Sequence, residues 1–154
     1  MSARSSANEP KNLQIIRTRN PPAIFLEQIA LLQTEAGYSA TASEVRRRLD
    51  ALPRNDRLLL AVDGEKLLGF AHLRVTSDLI NQDTAEVVMI IVRQSHRRRN
   101  IGRRLINAAE TWARESGHAR LLLRTEVIRT AAHAFFVALG YEETSTTLEF
   151  IREL

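Results

Sequence analysis

The middle of the chain joins an unbroken apolar run to a basic loop and then to a stretch with helical periodicity. Residues 87–92 are all apolar, rich in β-branched side chains and too few for a core helix, which is typical of a strand buried on both faces. After the loop, apolar residues recur at helical spacing, namely Ile101, Leu105, Ile106, Ala109, Trp112 and Ala113. The pattern therefore predicts a buried strand, a turn and an amphipathic helix.

Patterns upstream of this region predict a strand, two helices and a hairpin. A first strand begins at Leu13, and the two prolines after Asn20 start a helix that should end near Gly37. The spacing Thr41-x-x-Glu44 is that of a capping box, so a second helix is expected to run from there to about residue 52. Two strand-like segments, 57–62 and 67–75, flank an Asp-Gly turn and should pair antiparallel.

The downstream part predicts two more strands and one more helix. Residues 120–126 contain three consecutive leucines and should form a buried strand parallel to the earlier one, because a helix connects the two. Residues 130–139 predict a helix capped by Gly140, and the apolar residues of 148–151 predict a last strand. The resulting fold class is α/β (α+β), with a mixed β-sheet flanked by helices. Residues 1–11 are polar and unpatterned, so we expect a flexible tail before one domain of residues 12–154.

Composition narrows the class of protein. The 154 residues are 44% hydrophobic and 26% charged, as in an ordinary soluble globular protein. No apolar run reaches membrane-spanning length, and the first residues lack the apolar core of a secretion signal, which favours the cytoplasm. The chain has no cysteine, and its four histidines show no metal-ligand spacing, so we expect no metal. A homodimer is compatible with the sequence.

The net charge of +4 is concentrated in one place. Six arginines fall within twelve residues that contain no acid, and we call residues 93–104 the arginine loop. The other 16 of the 22 basic residues stand against 18 acidic ones, so the remainder of the chain is slightly acidic. Guanidinium groups match phosphate oxygens, and a helix N-terminus offers unpaired N–H groups. Gly102 lets the backbone approach a ligand, and Asn100 adopts left-handed conformations at modest cost. The loop predicts a pocket for several phosphates rather than a broad nucleic-acid face.

Two motifs resemble those of the GNAT superfamily of acetyl-CoA-dependent N-acetyltransferases. Arg97-x-x-Asn100-x-Gly102 after a buried strand resembles the family's Gln/Arg-x-x-Gly-x-Gly/Ala loop, which cradles the coenzyme A diphosphate. Ala132-x-x-Phe135-Phe136-x-x-Leu139-Gly140-Tyr141 resembles the helix end Ala-x-x-Phe-Tyr-x-x-Leu-Gly-Phe/Tyr. The resemblance covers roughly residues 13–154 and includes the order of elements. It implies that the two central parallel strands splay apart and receive the pantetheine arm.

The same resemblance implies a set of residues for binding acetyl-CoA. They are Ile91, Val92, Arg93, Arg97, Arg98, Arg99, Asn100, Ile101, Gly102, Arg103, Arg129 and Phe136. The backbone of 91–93 is expected to meet the pantetheine. Arg129 stands where the family often has an asparagine that reaches the pantetheine, and here it either reaches a phosphate or lies in solvent.

Candidates for proton transfer follow from the resemblance as well. Glu86 stands at the start of the central strand, where the histone-acetylating branch of the family places its glutamate base. The alternative is that Glu86 is an exposed acid at a strand end. Phe136 replaces the tyrosine that usually protonates the departing thiolate, and Tyr141 is a weaker candidate for that general acid. An alkyl thiol with a pKa of ~8.5 is already a tolerable leaving group.

The function implied is direct transfer of an acetyl group from acetyl-CoA to a primary amine of a small molecule. The acceptor cleft is expected around Phe25, Tyr38 and the loop of residues 78–83. Two alternatives stay open: a nucleic-acid-binding module that uses the arginines, and a GNAT-shaped protein that binds coenzyme A without catalysis. No Gly-x-Ser-x-Gly elbow or Walker loop supports hydrolytic chemistry. The residues do not name the acceptor.

Overall fold

The computed structural model of the protein describes residues 8–125 and 129–154. The strands are β1 (Leu13–Thr18), β2 (Arg57–Asp63), β3 (Lys66–Thr76), β4 (Thr84–Val92) and β5 (Leu121–Leu123). The helices are α1 (Leu26–Glu35), α2 (Ala42–Ala51), α3 (Ile101–Glu115) and α4 (Thr130–Ala138), and short 3-10 turns cover Ala23–Phe25 and Gln94–His96. The chain divides into two compact units, of which the first ends at Leu123 and the second is Arg124–Leu154.

The sheet of the first unit is mixed, as predicted. Its strand order is β1-β2-β3-β4-β5, with antiparallel pairing from β1 to β4 and parallel pairing between β4 and β5. The hairpin between β2 and β3 turns at Gly64, whose φ of 58° lies in the left-handed region that glycine adopts without strain. The predicted hairpin is therefore confirmed, and it places β3 beside the central strand β4.

Helices cover both faces of this sheet. On one face the apolar stripe of α3 packs on β3 and β4, in a cluster that includes Leu73, Val87 and Leu105. On the other face α1 and α2 pack on β2 and β3, in a cluster that includes Leu32 and Leu60. These five side chains are at most 3% exposed, and each leucine stabilises the fold by about 1.5–3 kcal/mol through burial. Side chains on both faces of β4 therefore pack in a hydrophobic cluster under helices.

The local signals for helix ends are confirmed. Oγ1 of Thr41 accepts a hydrogen bond from the N–H of Glu44 at 3.2 Å, and the Glu44 carboxylate accepts one from the N–H of Thr41 at 3.3 Å. This capping box satisfies two N–H groups that the helix itself leaves unpaired. After α3, Gly117 has a φ of 83°, so the chain leaves the helix in a left-handed conformation.

The central strand β4 is paired unequally on its two edges. Its pairing with β5 covers Ala85, Glu86 and Val87, opposite Leu121–Leu123. In the described part of the chain, residues 88–92 have no strand partner on that edge, and we call them the open edge of β4. A bulge begins there, because Leu73 and His72 of β3 lie opposite Val87 and Met89, which leaves Val88 as the extra residue. The splayed parallel strands that the resemblance implied stay a prediction, because residues 126–128 lie outside the described part of the chain.

Two expectations about strands need correction. Residues 121–123 are half-buried instead of buried, because β5 lies at the edge of the sheet order. The expected end of that strand at Glu126 lies outside the described residues.

The last strand predicted over residues 148–151 is wrong. The second unit contains α4, ends that helix at Gly140 with a φ of 92°, and forms no further regular element in its described residues. Leu148, Phe150 and Ile151 are 77%, 89% and 86% exposed. An apolar pattern favours a strand only where another strand pairs with it, and a local pattern does not supply that partner.

Candidate functional site

The arginine loop leads into an open helix N-terminus. Asn100 precedes α3 with φ 68° and ψ 7°, and its side chain does not cap the helix. The first helical bond runs from the N–H of Arg104 to the carbonyl of Asn100, at 3.1 Å. The N–H groups of Ile101, Gly102 and Arg103 precede it and have no carbonyl four residues back within the helix. Such N–H groups, with the positive end of the helix dipole, form an anion site.

The left-handed backbone of Asn100 confirms the conformation expected for this residue. It explains why asparagine can stand where the family motif has glycine, since both tolerate a positive φ. Arg98 also has a positive φ, of 62°, which the sequence did not predict. Two left-handed residues, separated by one residue, fold the loop tightly before α3. The loop therefore turns its peptide groups within a few residues.

The six arginines of the loop divide into two groups. Four are exposed and have no ion pair or side-chain hydrogen bond within the described residues; they are Arg97, Arg98, Arg99 and Arg103. Arg93 instead donates from Nε to the carbonyl of Leu67 at 2.8 Å and from Nη2 to Oε1 of Gln28 at 3.2 Å. Arg104 is paired with Glu9. The guanidinium of Arg93 is thus part of the scaffold, and four guanidinium groups are available to an anion.

His96 lies within the arginine loop, partly buried and close to other positive charges. Burial lowers the pKa of His96, and the charges of Lys66, Arg99 and Arg93 lower it further. Nδ1 of His96 lies 2.8 Å from the Ser95 hydroxyl oxygen. Both causes disfavour the protonated imidazole, because it would carry a positive charge into a partly buried place beside three other positive charges. The same positive charges attract phosphates.

The open edge of β4 presents particular peptide groups. The N–H of Arg93 donates to the carbonyl of Leu68 on β3 at 2.7 Å, so it is not available to a ligand, contrary to our expectation. Successive peptide groups of a strand point to opposite edges, so those of Ile90 and Val92 face away from β3. Val92 was predicted at this edge, but the peptide groups of Ile91, also predicted, face β3 as those of Arg93 do. Ile90 was not predicted, because an apolar sequence does not reveal the direction of a backbone N–H.

A glycine on β3 permits close approach behind this edge. A Cβ atom on Gly69 would lie 2.8 Å from the carbonyl oxygen of Ile91 and 3.3 Å from Cα of Val92. Distances that short to backbone atoms are not relieved by moving a side chain. Gly69 was not singled out from the sequence, because its role depends on a neighbouring strand. It fixes the position of residues 91 and 92.

Glu86 is buried, which makes the reading of an exposed strand-end acid wrong. It is 5% exposed, and it lies in β4 between Ala85 and Val87, whose side chains face α3. Because side chains alternate along a strand, Glu86 points to the opposite face, the one that α1 and α2 cover. Arg74 of β3 lies opposite Glu86 in the strand pairing. The Glu86 carboxylate is thus buried under these helices, two residues before the start of the open edge.

A charged network lies on the same face as Glu86. Oδ2 of Asp56 is 2.7 Å from Nε2 of His72, and it accepts hydrogen bonds from Nε and Nη2 of Arg74 at 3.0 and 2.9 Å. Asp56 is 2% exposed. A carboxylate only accepts, so this bond places the imidazole proton on Nε2 of His72. The local sequence around Asp56 does not predict the network, because the partners of Asp56 lie on β3.

The residues expected around the acceptor have different environments. Phe25 is 5% exposed and packs in the core with α1 and α2, whereas Tyr38 is 44% exposed. In the loop of residues 78–83, Oδ1 of Asp78 accepts bonds from the N–H groups of Ile80 and Asn81, both at 2.7 Å. The hydrogen bonds from Asn81 and Ile80 lower the pKa of Asp78. Phe25 therefore has a packing role, and Tyr38 is the accessible member of the pair.

The second unit holds the remaining expected site residues. Arg129 precedes α4, and the ring of Phe136 near the end of that helix lies 6.4 Å from the ring of Tyr141. The N–H of Tyr141 donates to the carbonyl of Phe136 at 3.0 Å. The motif that ends in Gly140-Tyr141 thus folds the aromatic residue back on its own helix. This contact stabilises the helix end.

Two general features complete the description of the site. Within residues 8–125 and 129–154, no group of three or more histidine, cysteine, aspartate or glutamate side chains is arranged to hold a metal ion. No helix among the described residues has the length and apolar character needed to cross a membrane.

Comparison with known families agrees with this geometry. Residues 23–141 match the model of the acetyltransferase (GNAT) family, which is most of the chain. The chain belongs to the acetyltransferase (GNAT) family.

Two curated relatives share part of its sequence. Aminoglycoside N(6')-acetyltransferase type 1 of Stenotrophomonas maltophilia is 32% identical over 97 residues, which cover 60% of this chain and 63% of that protein. N-acetyltransferase 8 of Homo sapiens is 26% identical over 86 residues, which cover 55% of this chain and 38% of that protein. The match thus spans less than two thirds of the length of each relative.

A solved structure shows the same fold. AAC(6')-Iy, solved in complex with the bisubstrate analogue CoA-S-monomethyl-acetylneamine, superposes with a TM-score of 0.78 at 19% sequence identity. The match covers 92% of this chain and 99% of that one. At this identity the likeness concerns the fold alone. The shared feature is the mixed sheet with helices on both faces.

Proposed function

We propose that this protein transfers an acetyl group from acetyl-CoA directly to a primary amine of a small molecule. One observation carries the proposal: the open N-terminus of α3, with four exposed arginines before and within it, adjoins the open edge of β4. Phosphates suit the first feature, and a chain of amides suits the second. Acetyl-CoA has both in one molecule.

The donor would lie along the loop and the strand. Its diphosphate would accept hydrogen bonds from the N–H groups of residues 101–103, and the exposed guanidinium groups would pair with the remaining phosphate charge. The pantetheine amides would pair with the peptide groups of Ile90 and Val92, as an added strand pairs with a sheet edge. This binding would hold the thioester near the buried end of β4.

The chemistry needs a neutral amine. Its lone pair attacks the thioester carbonyl, the new C–N bond forms, and the C–S bond breaks to release the thiolate. Glu86 would take the amine proton as general base, since its carboxylate lies on the same strand as the peptide groups that face the donor. Phe136 stands where the resemblance implies a tyrosine acid, so the thiolate would leave unprotonated or take a proton from solvent.

The acceptor class is supported by the relatives. The Stenotrophomonas protein is named for an aminoglycoside, a small molecule with several amines. Acidic residues exceed basic ones outside the arginine loop, which suits a cationic acceptor. A small amine is therefore favoured over a nucleic acid, because the excess basic charge is concentrated in one loop and does not extend along a stripe.

Thiol release measured with acetyl-CoA and a panel of aminoglycosides, polyamines and simple alkyl amines tests the proposal. Turnover that depends on one class of amine supports it. Acetyl-CoA binding without turnover would make the protein a non-catalytic coenzyme A binder. Firm binding to random duplex that falls steeply with salt, without acetyl-CoA binding, would favour the nucleic-acid module.

The loop is tested by a matched pair of variants. Gly102→Val places a branched side chain where the ligand phosphate should approach the backbone, and it should abolish acetyl-CoA binding. Asn107→Val places the same residue at an exposed position of the same helix and should bind normally. Equal affinity in the two variants would remove the loop from the site.

A further inference from the structure

A carboxylate from the segment before β1 contacts the arginine loop. Oε2 of Glu9 accepts a 2.8 Å hydrogen bond from Nδ2 of Asn100, and Oε1 of Glu9 accepts one from Nη1 of Arg104. Both carboxylate oxygens are thereby engaged, and the Glu9 side chain is only 17% exposed. Hydrogen bonds to an ionised, partly buried group are stronger than neutral ones. The contact therefore differs from an ordinary exposed ion pair.

The backbone around Glu9 is fixed by the fold. The N–H of Leu13 donates to the carbonyl of Pro10 at 3.2 Å, so a turn joins Glu9 to the start of β1. β1 is paired along its length with β2. Pro10 restricts the backbone at Glu9, which lowers the entropy cost of ordering the backbone that carries the Glu9 side chain. Glu9 thus connects the sheet to the loop.

The contact determines what the Asn100 side chain does. Asparagine before a helix usually turns its own oxygen onto an N–H group of the first turn. Here the left-handed Asn100 makes no such cap, and its amide donates to Glu9 instead. The first N–H groups of α3 stay available to a ligand oxygen. Arg104 is turned the same way, so its charge offsets that of Glu9 beside the phosphate site.

We propose that Glu9 is a positioning residue for the phosphates of acetyl-CoA. By fixing Asn100 and Arg104 it holds the N-terminus of α3 open before the ligand arrives. A loop that is already ordered loses less entropy on binding. This inference rests on the proposed function, and it concerns a residue outside the 23–141 region that the family shares. Loss of Glu9 should weaken the binding of acetyl-CoA and leave the KM for the amine unchanged.

The test compares two carboxylates that join the N-terminal part of the chain to α3. Glu9→Ala removes the contact at the loop end, and Glu115→Ala removes the ion pair with Arg17, 2.8 Å, at the other end of the helix. Both variants change the net charge equally. Calorimetry with acetyl-CoA should show Kd rising about tenfold in Glu9→Ala, the loss of one charge-assisted contact. Glu115→Ala should stay within about twofold of the wild type.

Steady-state kinetics separates positioning from loss of structure. In Glu9→Ala the change should lie in KM for acetyl-CoA, with kcat and KM for the amine close to those of the wild type. Glu9→Gln keeps the length of the side chain and one acceptor for Asn100. Its Kd for acetyl-CoA should therefore lie between that of the wild type and that of Glu9→Ala. This variant also serves if Glu9→Ala does not fold.

Several outcomes would overturn the inference. Unchanged Kd in both Glu9 variants would leave the proposed function intact and remove Glu9 from it. Tighter binding would show that Glu9 competes with phosphate, because removing a negative charge would then be the dominant effect. Failure of the wild type to bind acetyl-CoA would remove the proposed function itself, and the inference with it.

Discussion

Nε2 of His72 lies 2.7 Å from Oδ2 of Asp56, a carboxylate that is 2% exposed and also accepts two hydrogen bonds from Arg74. Removing one partner of a buried pair leaves the other charge uncompensated. Asp56→Ala should therefore lower the free energy of unfolding by about 1–3 kcal/mol, measured by urea denaturation, since the Arg74 side chain is 32% exposed and part of its charge can be hydrated. Glu115→Ala, which breaks the exposed pair with Arg17, should cost about 1 kcal/mol or less. Equal losses would show that the buried network stabilises the fold no more than the exposed pair does.

Gly69→Ala should disturb the binding edge more than the rest of the fold. The added Cβ would meet the backbone of Ile91 and Val92, so β4 must shift away from β3 at these residues. We expect a loss of about 1–3 kcal/mol in unfolding free energy, as for overpacking, and weaker acetyl-CoA binding at a temperature where the variant is fully folded. Unaltered affinity in a folded variant would mean that this edge does not contact the donor.

The parts of the fold that the sequence predicted correctly depend on local signals. The capping box at Thr41, the apolar stripe of α3 and the left-handed Asn100 each follow from a few neighbouring residues. The buried run of β4 was recognisable for the same reason. Hydrophobic patterns with a period of two or 3.6 residues reflect burial directly, so the elements predicted from them agree with the structure.

The parts that were missed depend on residues distant in sequence. Glu9 meets Arg104, and Asp56 meets Arg74, across 95 and 18 positions, and no local pattern marks either carboxylate. Gly69 matters because of a neighbouring strand. The predicted strand around Phe150 failed for the converse reason, since its pattern was present and no partner strand among the described residues pairs with it.

The stability of the fold should depend on pH through His96. Burial and the charges of Lys66, Arg99 and Arg93 lower its pKa from the ordinary 6.5, so the unfolded chain binds a proton at higher pH than the folded chain. Stability should fall as pH drops below about 6.5, until the folded imidazole also protonates. In His96→Gln the unfolding free energy should fall less over this range, measured by urea denaturation at several pH values. A slope in His96→Gln equal to that of the wild type would contradict the prediction.

Glu86→Gln tests the assignment of the general base. The substitution preserves the shape of a side chain that is 5% exposed, so the fold and the Kd of acetyl-CoA should change little. At neutral pH kcat/KM should fall by ~10² or more, the usual contribution of a general base. The deficit should shrink as pH rises, because the free amine becomes abundant and needs no base. A deficit that does not vary with pH would indicate a structural role.

Phe136→Tyr tests the other proton transfer. The variant restores the phenol that the family usually has at this position, and its rate should change little if thiolate departure is already easy, since an alkyl thiol has a pKa of ~8.5. Pre-steady-state thiol release, compared with steady-state turnover for both variants, shows which step is slow. A large gain in Phe136→Tyr together with a nearly silent Glu86→Gln would place the slow proton transfer at the departing thiolate, because only that end of the reaction would then respond to an added acid.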